Sequence, residues 1–268
     1  MLGRGPEAIS PTAHYTGAVW ERNGLSDPAF ATLEGRVLHD SLWPLMTTVR
    51  LAGGPTLEGF LLARHHMIDL LLETAIGDGR VGQVVEIAAG MSPRGWRFSL
   101  AHPELTYVEA DLPAMAARKR RALERAGGTH RVVALDAFDP ASLADLAATL
   151  DPDAGVAVVT EGLLNYFDRE HVTALWARLT TAFAGFPQLL YLSDLHVRSA
   201  VGGPLATGFT ALLQTFVRGR VHLHFADEAE ALDALHAAGF TEAALHHPQA
   251  FGHDAPGAGL VRVVEAQA

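Results

Sequence analysis

The stretch Val84-Val85-Glu86-Ile87-Ala88-Ala89-Gly90-Met91-Ser92-Pro93-Arg94-Gly95 decides the fold. It opens as an apolar, β-branched run without alternation, the pattern of a strand buried on both faces. It closes in a Gly90-Met91-Ser92-Pro93 turn, where Gly90 lets the backbone approach a ligand closely. Four further runs repeat the theme: LTYVEADLP at 105–113, HRVVALDAF at 130–138, GVAVVTEGLL at 155–164 and QLLYLSDL at 188–195. Helical segments are expected between them near 112–126, 140–150 and 168–184. This alternation predicts an α/β, doubly wound, mostly parallel sheet with right-handed crossovers.

Outward from this core the reading is coarser. Residues 1–80 are read as an N-terminal helical extension of the same domain, irregular at first. Asp27-Pro28 suggests a helix start. Leu57 to Ala75 is apolar-periodic, with Leu61, Leu62, Ile68, Leu71 and Leu72 on one broad face. Residues 81–268 form the core, with a lid-like insertion at 197–221 rich in glycine. Its Leu205, Phe209, Leu212, Leu213 and Phe216 suit an aromatic acceptor, burial against the core, or a dimer contact. DEAEALDALHAAGF at 227–240 predicts an amphipathic helix. Two last strands are expected near 241–246 and 260–265, joined by FGHDAPGAG, which reads as a mobile loop.

In such a sheet, ligands bind at the carboxyl ends of the strands. Four consecutive strand ends each present a carboxylate: Glu86, Asp111, Asp136 and Glu161. Asp111 follows the glycine turn by about 20 residues, where an acid suits ribose hydroxyls. The ordinary role of any one of them is a turn or cap. A dinucleotide site needs G-x-G-x-x-G and a pyrophosphate at a helix start. Here Ala88 stands in place of the first glycine, and Pro93 follows the turn. An acid-rich rim fits a cationic nucleoside without phosphate, which describes S-adenosylmethionine, with S-adenosylhomocysteine as product.

Composition narrows the classes. The net charge of -10 disfavours nucleic acid. The run Arg118-Lys119-Arg120-Arg121 reads as a solvated helix face. With no cysteine, disulfide and thiolate chemistry are excluded. No stretch is long and apolar enough to span a membrane, and no signal peptide is seen, so a cytoplasmic location is the default. The histidine spacings resemble no zinc signature, so no metal is expected. The absence of a G-x-S-x-G elbow argues against covalent hydrolase chemistry.

The motifs SPTAHYTGAVWERNGLSDP at 10–28, ARHHMIDLLL at 63–72, VVEIAAGMSPRG at 84–95, VEADLP at 108–113 and TEGLLNYF at 160–167 resemble the leucine carboxyl methyltransferase family. The likeness is nearest to its tetracenomycin polyketide O-methyltransferase-like group and covers most of the chain. It implies a Rossmann-like, seven-stranded methyltransferase fold. It implies that Arg64 clasps the S-adenosylmethionine carboxylate, a pairing suited to a guanidinium fork. His66 stands where many relatives carry a second arginine. Glu86, Ala88 and Gly90 would line the methionine moiety. Asp111 and Leu112 would meet the ribose, Asp136 and Ala137 the adenine edge, and Glu161 and Gly162 the amino group.

The expected activity is O-methylation of a small molecule, with a carboxylate of a polyketide-like or aromatic acid favoured. A hydroxyl acceptor using a histidine base is the alternative, and His196 after the fifth strand is the best candidate base. His222 and His224 read as strand or turn decoration. A non-catalytic cofactor-binding or scaffold protein is a third reading. His14, Tyr15 and Tyr166 are expected to meet the acceptor. A homodimer is also compatible with the sequence.

Overall fold

The computed structural model describes residues 11–200 and 222–268, together with Gly208. Most of the 197–221 insertion, with its five apolar residues, therefore lies outside the described residues. The seven strands are β1 Gln83–Ile87, β2 Thr106–Asp111, β3 Arg131–Ala134, β4 Val156–Thr160, β5 Leu189–Leu195, β6 Glu242–His246 and β7 Arg262–Gln267. They form one sheet in the order β3-β2-β1-β4-β5-β7-β6. The first five are parallel, and β7 runs antiparallel between β5 and β6. The order reverses between β1 and β4, so both strands end beside the same crevice.

Helices α1 Pro11–Arg22, α2 Leu33–Leu51 and α3 Leu57–Gly77 precede the sheet. Then follow α4 Arg94–Ala101, α5 Pro113–Arg125, α6 Pro140–Ala147, α7 Arg169–Ala182 and α8 Glu228–Ala237. Side chains alternate along each strand, so neighbouring residues feed opposite layers. Val84, Val159, Leu190 and Leu192 pack with Met67, Ile68, Leu71 and Leu72 of α3. Val85, Val158, Tyr191 and Leu195 pack on the other side with Leu143, Val172, Trp176 and Leu235, from α6, α7 and α8. Side-chain caps start several helices: Thr32 accepts from Gly35 N–H, Thr56 from Gly59 N–H and Asp168 from His171 N–H.

Three expectations change. Asp27 caps only the short 3-10 turn Pro28–Phe30, because Thr32 supplies the stronger helix start five residues on. The FGHDAPGAG link is held in place: it carries 3-10 turns, and the Pro256 carbonyl accepts from Thr56 N–H at 3.0 Å. The basic run is not wholly solvated, for Lys119 is 1% exposed. Its ammonium lies 2.9 Å from Glu109 and donates to the Ser92 carbonyl. A helix packed on a sheet turns one residue of any four inward, whatever its charge.

Candidate active site

A pocket of about 490 Å³ opens at the carboxyl ends of β1 to β4. That volume is in the range of small-molecule sites. A larger groove of about 750 Å³ between α6 and α7 is mainly apolar, and it is away from these strand ends. The wall of the first pocket contains Arg64, Ala88, Gly90, Asp111, Leu112, Asp136, Ala137, Glu161, Gly162 and Tyr166. Helix α1 adds Ala13, Thr16 and Trp20.

Each acid is held differently. Asp111 ends β2, and its two oxygens accept from Gly90 N–H and Leu112 N–H, both at 2.7 Å. Burial pushes its carboxyl above the usual aspartate range, against the pull of those two bonds. Each oxygen keeps a lone pair for a ribose hydroxyl. Asp136 accepts from Phe138 N–H at 2.9 Å through one oxygen. Glu161 is surrounded by cations. Its Oε1 accepts from Arg64 Nε at 3.0 Å, and its Oε2 lies 2.6 Å from Arg94 Nη2 and 2.8 Å from His65 Nδ1. Burial would raise its pKa, but His65, Arg94 and Arg64 hold it well below the glutamate range.

Arg64 leaves α3 and reaches the ends of β4 and β5. Its Nη1 donates to Asp194 at 3.1 Å. Burial opposes its charge, and Asp194 and Glu161 more than offset that, so its pKa is raised. The guanidinium lies on Gly162, where a Cβ would stand 3.0 Å from Nη2. Gly162 also has φ +73°, a second reason for glycine. Ala88 is unusual, being the one non-glycine with positive φ among the described residues, at +54°. The turn keeps a left-handed shape although alanine occupies it, at a cost of about 1 kcal/mol.

Several expected residues do not reach the pocket wall. Glu86 precedes the last residue of β1 and faces α4. It accepts from Arg94 Nη1 at 2.7 Å and from the Tyr107 hydroxyl at 2.8 Å. Three strand-end acids therefore meet the pocket rather than four, since strand alternation turns Glu86 to the other face. His66 is half-buried beside His253, with ring centroids 5.6 Å apart. His14 Nδ1 pairs with the Thr32 hydroxyl at 2.7 Å, and Tyr15 is buried against His39. His196 is buried, stacked 5.2 Å from Phe60, with Nδ1 3.2 Å from the Leu260 carbonyl. Burial lowers its pKa, although Asp194 pulls upward.

Other residues on the pocket wall or beneath it were not singled out in sequence. Arg94 is fully buried and joins Asp69, Glu86 and Glu161. Asp194 is the last residue but one of β5, and it accepts from Arg64 and from Gly162 N–H. Trp20 lies in the 10–28 motif and Arg118 in the basic run, but neither was given a place in the site, and both line the pocket.

This donor set fits a zwitterionic nucleoside. It offers one arginine for a carboxylate, one acid for an ammonium group and two acids for hydroxyl and amino donors. Comparison with known proteins agrees. The family model described as leucine carboxyl methyltransferase matches residues 28–180. No curated protein matches the chain. A putative O-methyltransferase from Nostoc punctiforme superposes with a TM-score of 0.56 at 14% identity, covering 94% of this chain and 73% of that one. Magnesium protoporphyrin IX methyltransferase from Synechocystis, solved with bound S-adenosylhomocysteine, gives 0.51 at 15%, covering 78% and 85%. An aminoriboflavin dimethyltransferase from Streptomyces davawensis gives 0.50 at 21%, covering 98% and 70%. At these identities the likeness is one of fold. With more than half of its length matched by the family model, the chain belongs to the leucine carboxyl methyltransferase family and is an S-adenosylmethionine-dependent methyltransferase.

Proposed function

We propose that this enzyme methylates a carboxylate oxygen of a small aromatic or polyketide-like acid. The observation that carries the carboxylate is the placement of the histidines. All fourteen lie among the described residues, and none lines the pocket. A phenol, with a pKa near 10, gains from a general base, whereas a carboxylate near 4 is already ionised at pH 7. Arg118 supports an anionic acceptor: it lines the pocket and forms no ion pair among the described residues.

In this reading Arg64 grips the cofactor carboxylate and Glu161 its ammonium group. Asp111, beside Leu112, takes the ribose hydroxyls, and Asp136 with Ala137 the adenine edge. Ala88 and Gly90 bring backbone close to the thioether. The bound cofactor supplies an electrophilic methyl on a sulfonium. The chain's own part is placement. Helix α1 covers the pocket with Ala13, Thr16 and Trp20 and excludes water, while Tyr166, 40% exposed, faces the acceptor side. Orientation and desolvation can lower such a barrier by roughly 7–11 kcal/mol.

The test is incubation with S-adenosylmethionine and a panel of aromatic acids and phenols, read by mass. An alkali-labile methyl ester is expected. Its rate should stay flat above about pH 6, where carboxylates are ionised, and His196→Ala should cost less than about tenfold in kcat. An ether product, with a His196→Ala loss of about 10²–10⁴-fold rescued at high pH, would overturn the carboxylate reading. S-adenosylhomocysteine binding with no transfer to any acceptor would favour a non-catalytic role.

A further inference from the structure

Ala13, Thr16 and Trp20 are spaced three and four apart on α1, so one helix face meets the pocket. Trp20 is 6% exposed, and its indole Nε1 is buried without a hydrogen-bond partner among the described residues. An indole N–H can only donate, and buried donors in native proteins are almost always paired. Buried polar atoms without a hydrogen-bond partner among the described residues also occur on Arg97, Ser99, Asn165 and His224. Trp20 is the one residue of that set on the pocket wall.

Its place along the pocket is fixed by its neighbours. The Trp20 and His65 rings lie 5.0 Å apart between centroids. His65 Nδ1 is 2.8 Å from Glu161, which in turn accepts from Arg64 at 3.0 Å. The indole therefore belongs to the Arg64–Glu161 end, not to the Asp111–Asp136 end. At that end Arg64 has committed Nε to Glu161 and Nη1 to Asp194, which leaves Nη2 against Gly162. A carboxylate arriving there finds one free guanidinium edge and needs a second donor.

We infer that Trp20 is a cofactor-binding residue whose indole N–H donates to the methionine carboxylate, beside Arg64. This rests on the cofactor assignment above. It makes α1 a recognising wall of the site rather than a cover alone.

Two ligands separate the possibilities. S-adenosylhomocysteine carries the carboxylate, whereas 5′-methylthioadenosine keeps the nucleoside and thioether and lacks the amino-acid part. Trp20→Phe removes the N–H and keeps a ring. Calorimetric titration should show S-adenosylhomocysteine weakened about 10- to 100-fold, the range for losing one hydrogen bond to a charged group, and methylthioadenosine unchanged. Equal weakening of both ligands, or no change in either, would overturn the inference. A second measurement needs no variant. With ¹⁵N-labelled tryptophan, one of the four indole N–H signals should move downfield with S-adenosylhomocysteine and stay put with methylthioadenosine. The lack of such a ligand-specific shift would count against it equally. Failure of the native protein to bind S-adenosylhomocysteine at all would instead remove the cofactor assignment, and this inference with it.

Discussion

Two clusters of buried charge lie under the same strand ends and do different things. One joins Arg64 and Arg94 to Glu161, Glu86 and Asp194 beneath the pocket. The other joins Lys119 and His130 to Glu109 beneath α5, at 2.9 and 3.0 Å. In both, burial would raise the central glutamate, and neighbouring cations hold it low instead. A depressed pKa therefore does not tell a site from a scaffold. Access does. The first cluster has Arg64 and Glu161 on the pocket wall. The second is sealed: Phe30 lies under the ammonium at 5.3 Å, and a Cβ on Gly95 would stand 2.6 Å from the Glu109 carboxylate.

The largest expected effects test this contrast directly. Arg64→Ala and Lys119→Met each take one cation away from a buried carboxylate, so each should lower stability by up to about 3–5 kcal/mol in urea unfolding. Only Arg64→Ala should also weaken S-adenosylhomocysteine, by about 10- to 100-fold as a charged hydrogen bond is lost. Lys119→Met should leave its affinity within about twofold of the native value. Lost affinity in Lys119→Met would show that the sealed cluster also shapes the site. Next in size is Asp111→Ala. Cofactor binding should weaken by roughly 1–3 kcal/mol by calorimetry, and unchanged affinity in a folded variant would remove Asp111 from the site. The smallest effect is at Ala88. Ala88→Gly relieves a left-handed alanine and adds freedom to the unfolded chain, so the two terms nearly cancel. A net gain of under about 1 kcal/mol is expected in thermal unfolding. A clear loss would mean that the Ala88 methyl contributes packing that outweighs its strain.

The legible part of the molecule was the part whose chemistry repeats. The five parallel strands are apolar runs because both faces are covered, and Asp111, Asp136 and Glu161 follow because ligands gather at strand ends. What escaped depends on direction and on long-range contact. Glu86 stands one residue before the end of its strand, and that single step turns it from the pocket to Arg94. Lys119 looks like its basic neighbours until the helix is laid on the sheet. Helices α1 and α2 mix apolar, small and polar residues. Trp20 meets the pocket beside His65, a neighbour 45 residues along the chain.

The position of β7 has a consequence for how the chain assembles. It follows both β5 and β6 in sequence yet sits between them, antiparallel to each. Until β7 arrives, β5 offers an open edge with unpaired N–H and C=O groups, a ready template for another chain. The same late segment brings Pro256 to Thr56, a contact spanning 200 residues that secures the start of α3, the helix bearing Arg64. Closing so long a loop is slow relative to local helix formation. During synthesis on the ribosome the growing chain would therefore expose a sticky half-sheet, and the pocket would be among the last parts to set.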